Sequence, residues 1–354
     1  MFYLITDCNY PHINLATEEY ILKNRTEQVF MVYRNNPCIV SGRNQNIMAE
    51  INCGHVFNNN IPLIRRISGG GTVYHDTGNL NYAFIENGRT VDLSKHRQFI
   101  CESLNKIGFN AVPGPGSNIT LYGKKISGNA ATVSGNRTMH HGTLLYDTNL
   151  NELNKTLSES GESYNDKAVD SKRSLVVNLS EYDVACNKYD IACNKYDIAC
   201  NKPDIDGFTG RFISAMKSVT VFEGELSLRD EELQAINKLA SEKYITPEWI
   251  IGQSPVYNLH RTVNAGGCTY VSDISVEKGR IIKCSIYCLT EPVVTALSVT
   301  VPSIDSINYE LFTLCNILKG VWHHPRLIYE ILVKTPEGLF FLNQFNNKWI
   351  SVLF

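Results

Sequence analysis

Arg65-Arg66-Ile67-Ser68-Gly69-Gly70-Gly71-Thr72-Val73-Tyr74-His75-Asp76-Thr77-Gly78-Asn79-Leu80-Asn81-Tyr82-Ala83-Phe84 is the stretch whose reading decides the fold. It reads as strand, glycine loop, strand, turn, strand. Neither helix nor strand propensity explains glycines in a row. They let backbone approach a ligand closely and aim successive N–H groups into one concavity, which suits a phosphate or a carboxylate. Arg66, next to them, offers a planar, permanently charged partner for such an anion. The pattern lacks the GxxxxGK[ST] spacing of a phosphate-binding P-loop. It also lacks a GxGxxG that opens a helix. The plain alternative is a tight glycine turn between two strands.

Outward from this stretch, strands and helices mix without a βαβ rhythm. Met1–Ile5, Val29–Tyr33 and Cys38–Ser41 read as strands, as do Ile119–Leu121, Lys125–Val133 and Thr138–Tyr146. Asn14 reads as the N-cap of a short amphipathic helix carrying Leu15, Glu18, Glu19, Ile21 and Leu22. His96–Lys106 fits a helix with Gly108 just past its end. The pattern predicts an α+β class with a mixed, largely antiparallel sheet rather than a doubly wound one. Residues 150–250 read as mostly helical. Beyond them Val256–Val263, Thr269–Glu277 and Ile281–Cys288 make a three-strand meander, and Ser306–Leu318 and His324–Val333 read as helices. We therefore expect a catalytic domain over residues 1–250 and a small α+β accessory domain over 251–354.

The chain has 354 residues, 33 Lys and Arg against 35 Asp and Glu, and a net charge of −2. A balance this even disfavours a nucleic-acid-coating protein or one drawn to anionic lipid. No apolar run reaches the ~18 residues of a membrane span. The opening MFYLITDCNYPHINLATEEY has no basic, then apolar leader, so it reads as the start of a cytoplasmic folded domain. The 11 cysteines form no CxxC pair and read as reduced, mostly buried thiols. A period-seven repeat, EYDVACN then KYDIACN twice and KPDI, fills residues 181–205. On a helix it would stack Cys186, Cys193 and Cys200 on one stripe and Asp183, Asp190 and Asp197 on another. An expansion tolerated in a surface loop is the plainer reading, and no structural metal is expected.

Two further stretches carry chemistry. Tyr122-Gly123-Lys124-Lys125-Ile126-Ser127-Gly128-Asn129-Ala130 places lysines on alternate faces of a strand, so one of Lys124 and Lys125 turns inward, beside small residues that can wall a narrow slot. His140-His141-Gly142-Thr143 places two histidines on opposite faces, so they cannot share one metal ion.

Taken in order, NLATEEYI (Asn14–Ile21), YRNNPCIVSGRNQN (Tyr33–Asn46), RRISGGGTVYHDTGN (Arg65–Asn79), GKKISGNA (Gly123–Ala130) and HHGTLL (His140–Leu145) resemble the lipoate–protein ligases. KRSLVVNLSE, EWIIGQSP and VEKGRI extend the resemblance to about residue 330. It implies a catalytic domain of the biotin/lipoate ligase type. It also implies a two-step ATP-dependent reaction with Mg²⁺ on the triphosphate. Lipoic acid is adenylated to lipoyl-AMP, and the lipoyl group then passes to a lysine of a carrier domain, such as a 2-oxoacid dehydrogenase E2 subunit or the glycine cleavage H protein. By this resemblance Lys125 is the catalytic residue and bridges lipoate and α-phosphate. Arg66 with Gly71, Thr72, Val73 and Tyr74 holds ATP and the adenylate. Leu15, Thr17, Ser68, His75, Ala130 and His141 line the lipoyl slot. Many relatives carry Gly-Arg-Asn-Asp before the lysine hairpin; here Pro115-Gly116-Ser117-Asn118 stands there. Asn118 thus supplies no charge to support Mg²⁺ or the adenylate.

Two rival readings remain. An octanoyl or lipoyl transferase of the same fold uses a cysteine nucleophile, but no cysteine lies between Cys101 and Cys186. A catalytically weak paralogue would bind lipoate or lipoyl domains without ligating them, and Asn118 is its support. A biotin ligase would carry a GRGRxxR-type loop, which this chain lacks.

Overall fold

The computed structural model describes residues 1–157, 164–168, 174–183, 204–290 and 303–354. The chain begins β1 (Phe2–Ile5), α1 (Pro11–Asn24), β2 (Val29–Arg34), β3 (Cys38–Ser41), α2 (Cys53–Asn58) and β4 (Leu63–Arg65). It continues β5 (Val73–His75), β6 (Asn79–Asn87), α3 (Leu93–Lys106), β7 (Ala111–Pro113), β8 (Ile119–Leu121), β9 (Lys124–Ser127), β10 (Asn129–Ser134) and β11 (Arg137–Leu145). Then come α4 (Leu150–Thr156), β12 (Tyr164–Asn165), α5 (Ile205–Val219), β13 (Gly224–Glu225), α6 (Asp230–Leu239) and α7 (Pro247–Ile250). It closes with β14 (Tyr257–Ala265), β15 (Cys268–Glu277), β16 (Arg280–Cys288), α8 (Ile304–Leu318), α9 (Pro325–Leu332), α10 (Pro336–Phe345) and α11 (Trp349–Leu353).

Two compact units emerge. The first comprises Met1–Gly42, Leu63–Asn154 and Lys172–Ile245; the second comprises Arg43–Pro62, Lys155–Ser171 and Thr246–Phe354. The first is built on a six-stranded sheet in the order β10-β11-β6-β2-β1-β13. Its β10, β11, β6 and β2 run antiparallel in turn, and β2, β1 and β13 run parallel. Two three-stranded sheets, β4-β3-β5 and β7-β8-β9, complete it. The expected α+β class with an antiparallel-rich mixed sheet is what the chain forms.

The central strands β2, β6 and β11 are buried on both faces, and β2 reads as a near-continuous apolar run. Alternation still sorts the side chains. Phe30, Val32, Tyr82 and Phe84 join one core with Ile100 and Leu104 of α3 and Phe208 and Phe212 of α5. Val29, Met31, Tyr33, Ala83, Ile85 and Met139 join the other with Ile21 and Leu22 of α1. In the second unit Tyr257–Cys288 forms a sheet of its own with β12, in the order β12-β14-β15-β16, and the helices α8 to α11 follow it in the chain. His323 ties that unit together. Its Nε2 donates to the Leu353 carbonyl at 2.6 Å, and its Nδ1 lies 2.6 Å from the Tyr257 hydroxyl.

Some local expectations need correction. Asn14 does not cap α1: the helix starts earlier, at Pro11, whose fixed φ and missing N–H suit a first turn. Asn14 is instead buried inside it and bonds across to other segments. Glu18 and Glu19 are buried as well, not on a solvated face. The strand expected over Lys125–Val133 is two strands, broken at Gly128. Cys186, Cys193, Cys200, Asp190 and Asp197 of the heptad repeat lie outside the described residues. Asp183, at its start, is buried, where Arg211 and the Tyr146 hydroxyl meet its carboxylate.

Candidate active site

Arg66 explains the glycine loop. Its guanidinium is buried and faces carbonyls: Nη1 donates to Val40 O at 2.9 Å, and Nη2 donates to Gly69 O at 2.8 Å and Gly71 O at 2.7 Å. Its Nε donates to Ser68 Oγ at 3.1 Å. A trans peptide points its N–H opposite to its C=O. With the carbonyls of Gly69 and Gly71 drawn to Arg66, the N–H groups of Gly70 and Thr72 turn to the other side. Arg66 thus shapes a nest of amides, and its charge acts from behind the loop. Two glycines permit the wrap. Gly70 has φ +87°, and a Cβ on Gly42 would sit 1.9 Å from Gly70 O. Thr72 bonds to Ser41 Oγ at 3.3 Å, and Val73 and Tyr74 continue into β5, paired with Val40 and Ile39 of β3.

Ser68, His141 and Glu18 form a directed chain beneath the loop. Glu18 comes from α1, Ser68 from the loop and His141 from β11. His141 Nδ1 lies 3.0 Å from Glu18 Oε2, which fixes the proton on Nδ1, and its Nε2 lies 2.6 Å from Ser68 Oγ. Tyr33 donates to Glu18 Oε1 at 2.9 Å. All four side chains are buried. Ala130 of β10 stands opposite His141 in the ladder and lies against Gly70, whose Cβ would meet it at 3.6 Å. His75 is close enough for the charges of Arg66 and His141 to act on it; burial first, then those charges, push its pKa down to about 3. Leu15 and Thr17 lie buried on α1, and the Thr17 hydroxyl is spent within its own helix on Ile13 O at 2.9 Å.

Lys125 is the second residue of the short β9, and the Gly128 break brings the chain back beside it. A Cβ on Gly128 would lie 3.1 Å from Lys125 Nζ. Burial and then the Arg66 charge lower the pKa of its ammonium. Among the described residues no carboxylate comes within ion-pair distance of it. A partly buried cation lacking an anion is a site for one. Asp76 is not that anion: its carboxylate accepts from Gly78 N at 3.0 Å and Asn149 N at 2.8 Å. Asn118 closes the turn before β8 with its backbone, where its carbonyl accepts from Gly114 N at 2.9 Å.

The other face of β11 holds a buried network whose groups largely face one another, with His96 Nε2 at its outer end near Glu86 but without a well-aligned hydrogen bond. Asn129 Nδ2 donates to Ser117 O at 2.8 Å, so its Oδ1 faces His140 Nε2 at 2.8 Å and the Tyr82 hydroxyl. His140 Nδ1 meets His96 Nδ1 at 3.0 Å, and His96 Nε2 lies 3.0 Å from Glu86. Sequence reasoning missed Glu18, Tyr33, Asn35 and this network. The paired Glu18-Glu19 between Leu15 and Ala16 and the Ile21-Leu22 pair was the available signal.

Comparisons with known proteins bear on this site. The family described as lipoyl protein ligase A/B catalytic domain matches residues 10–191. Lipoate–protein ligase 1 of Staphylococcus aureus is 35% identical over 288 residues, 80% of this chain and 82% of its own. A solved lipoate–protein ligase A bound with ATP shares the fold with TM-score 0.55 and 23% identity, over 70% of this chain and 97% of that one. LipL1 of P. falciparum in complex with lipoate does so with TM-score 0.57 and 21% identity, over 99% of both chains. The glycine loop wrapped on Arg66 and the partly buried Lys125 thus sit in a sequence and fold that place this chain in the lipoate–protein ligase family.

Proposed function

We propose that this chain is an ATP-dependent ligase that joins lipoate to a lysine of a lipoyl carrier domain through lipoyl-AMP. The observation that carries the reading is the unpaired, partly buried Lys125 ammonium beside the Arg66-shaped amide nest. Activating a carboxylate with ATP brings two anions together, so a preorganised cation and N–H donors are what the step needs. The carboxylate oxygen attacks the α-phosphorus and pyrophosphate leaves. Lys125 neutralises carboxylate and α-phosphate as they meet, and the nest holds the phosphate. The neutral ε-amine of the carrier lysine then attacks the acyl carbon, AMP leaves, and the amine gives up a proton. Lipoyl domains of E2 subunits and the H protein are the acceptors we propose, in the cytoplasm.

The residues present suit ATP, and Mg²⁺ characteristically keeps phosphate and water ligands rather than an all-protein cage. Among the described residues no three His, Cys, Asp or Glu side chains cluster to hold a metal, and Asn118 is neutral. We therefore assign Mg²⁺ to the phosphates of ATP and route no step through the protein's own ligands.

Cys53 and Cys101 are poorly suited to be the nucleophile of a transferase with a thioester intermediate. Burial raises Cys101 to about 11 and Cys53 to about 12, so neither is a thiolate at neutral pH. Ser68 has the partners of a nucleophile but is fully buried and already accepts from Arg66 Nε. We expect no acyl group on it. Lipoate-dependent exchange of pyrophosphate into ATP, followed by intact mass of an added lipoyl domain, tests the reading. An acyl-enzyme formed without ATP would refute it.

A further inference from the structure

His75 is buried, and its two ring nitrogens differ sharply. Nδ1 lies 3.0 Å from Asn35 Nδ2. Nε2 is buried with no hydrogen-bond partner among the described residues.

The tautomer is set by the residues behind it. The Asn14 side-chain nitrogen lies 2.8 Å from Cys8 O and 2.9 Å from Arg34 O. Carbonyl oxygens only accept, so that atom is the amide nitrogen and the Asn14 orientation is fixed. The same nitrogen lies 2.9 Å from Asn35 Oδ1, and Thr6 donates to Asn14 Oδ1 at 3.1 Å. A flipped Asn35 would set two NH₂ groups against each other. Asn35 therefore turns its oxygen to Asn14 and its NH₂ to His75. Nδ1 of His75 is an acceptor, and in the neutral ring the single proton sits on Nε2. A buried donor left without an acceptor is costly. This one shares a cluster with Arg66, Ser68 and His141, where a ligand would supply the missing acceptor.

We propose that Asn35, itself oriented by Asn14, is a positioning residue that presents His75 as a neutral Nε2–H donor to an acceptor atom of the carboxylic acid substrate. The identity of that acid rests on the ligase reading; the tautomer does not. A hydrogen bond made only by the acid should appear in its KM and not in that of ATP.

The test uses the full chain labelled with ¹⁵N-histidine, with His75 assigned through His75→Gln. In the ligand-free protein His75 should show a protonated Nε2 and a bare Nδ1. Lipoate should shift the Nε2 resonance. Asn35→Asp offers only acceptors to His75 and draws a proton to Nδ1; in the neutral ring this removes the donor from the slot, and the ¹⁵N spectrum of the variant reads whether the ring is neutral. The variant's KM for lipoate should rise about ten- to hundredfold, with the KM for ATP held within about twofold. A proton on Nδ1 in the wild type overturns the proposal, as does an Nε2 signal indifferent to bound lipoate or an equal rise in both KM values. If Asn35→Asp does not fold, the wild-type spectra still decide. If neither lipoate nor octanoate binds the wild type, the ligase reading and the donor role fall together, and the tautomer is still read from the ligand-free protein.

Discussion

His140 and His141 are neighbours on one strand and have opposite tasks. His140 points to the face of Phe84, whose ring it overlies at 6.1 Å, and all its polar capacity is consumed by His96 and Asn129. His141 points to the α1 face, near Arg66 and a bare donor on His75, and Arg66 in turn acts on the unpaired ammonium of Lys125. Residue type does not separate them; what the other elements bring to each face does. A buried network whose groups are largely paired with one another gains little from a ligand and rigidifies its members, which makes a scaffold. The scaffold face holds the Ser127-Gly128-Asn129 corner against which Lys125 rests. The unsaturated face is the one that can bind.

The largest effects come from breaking the faces in turn. His141→Ala removes one of the donors to the buried Glu18 carboxylate and leaves it Tyr33, and losing such a hydrogen bond to a charged group costs about 1.5–3 kcal/mol. Denaturant melts should show this, and lipoate-dependent exchange should drop even where the variant is folded. His140→Ala leaves Asn129 Oδ1 with Tyr82 and costs about 1–3 kcal/mol, with the KM for lipoate unchanged. Equal losses of lipoate binding in both variants would erase the distinction between the faces.

Acid sharpens the comparison on a smaller scale. Burial lowers His75 to about 3 and His140 to about 2. Both stay neutral in the fold while the unfolded chain takes up protons below about 6.5. The stability held at neutral pH is therefore lost as pH falls from about 6.5 towards those values, at up to about 1.4 kcal/mol per pH unit for each ring. Melts at pH 7 and pH 5 should show the loss, and His140→Gln should reduce its slope. An unchanged slope would mean that His140 is not held neutral.

The smallest effect lies at the outer end of the scaffold. Glu86 is drawn down to about 2, first by its bond to His96. Its contribution is present above the unfolded value of about 4.5 and fades as pH falls through about 2. Because it is only half buried and salt screens it, Glu86→Gln should cost no more than about 1 kcal/mol at pH 7 and nothing at the acid end. A change in the KM for lipoate would contradict its place on the scaffold face.

Much of this was legible in the chain, for reasons that also mark the limit. Strand alternation alone separated His140 from His141 and turned one of two adjacent lysines inward. The glycine run announced a backbone that must wrap closely, as Gly70 and Gly42 do. What alternation cannot show is who waits on each face. Glu18 meets His141 across 123 residues, and Asn35 meets His75 across 40. The role of Arg66 was also out of reach: an arginine beside glycines suggests a direct anion contact, and only the folded loop reveals carbonyls turned towards it. Asn14 misled because a cap and a buried cross-link both favour asparagine.

Pyrophosphate exchange by the wild type and by Lys125→Met tests the central claim most directly. The wild type should incorporate labelled pyrophosphate into ATP only when lipoate is present, and should then add one lipoyl group to a carrier domain. Lys125→Met removes a cation preorganised between two anions, so exchange should fall by roughly 10²–10³. The fold itself disfavours that charge by burial, so the variant should melt no lower than the wild type at pH 7. Lipoate-dependent exchange that survives in a folded Lys125→Met, or none in the wild type, would contradict the account.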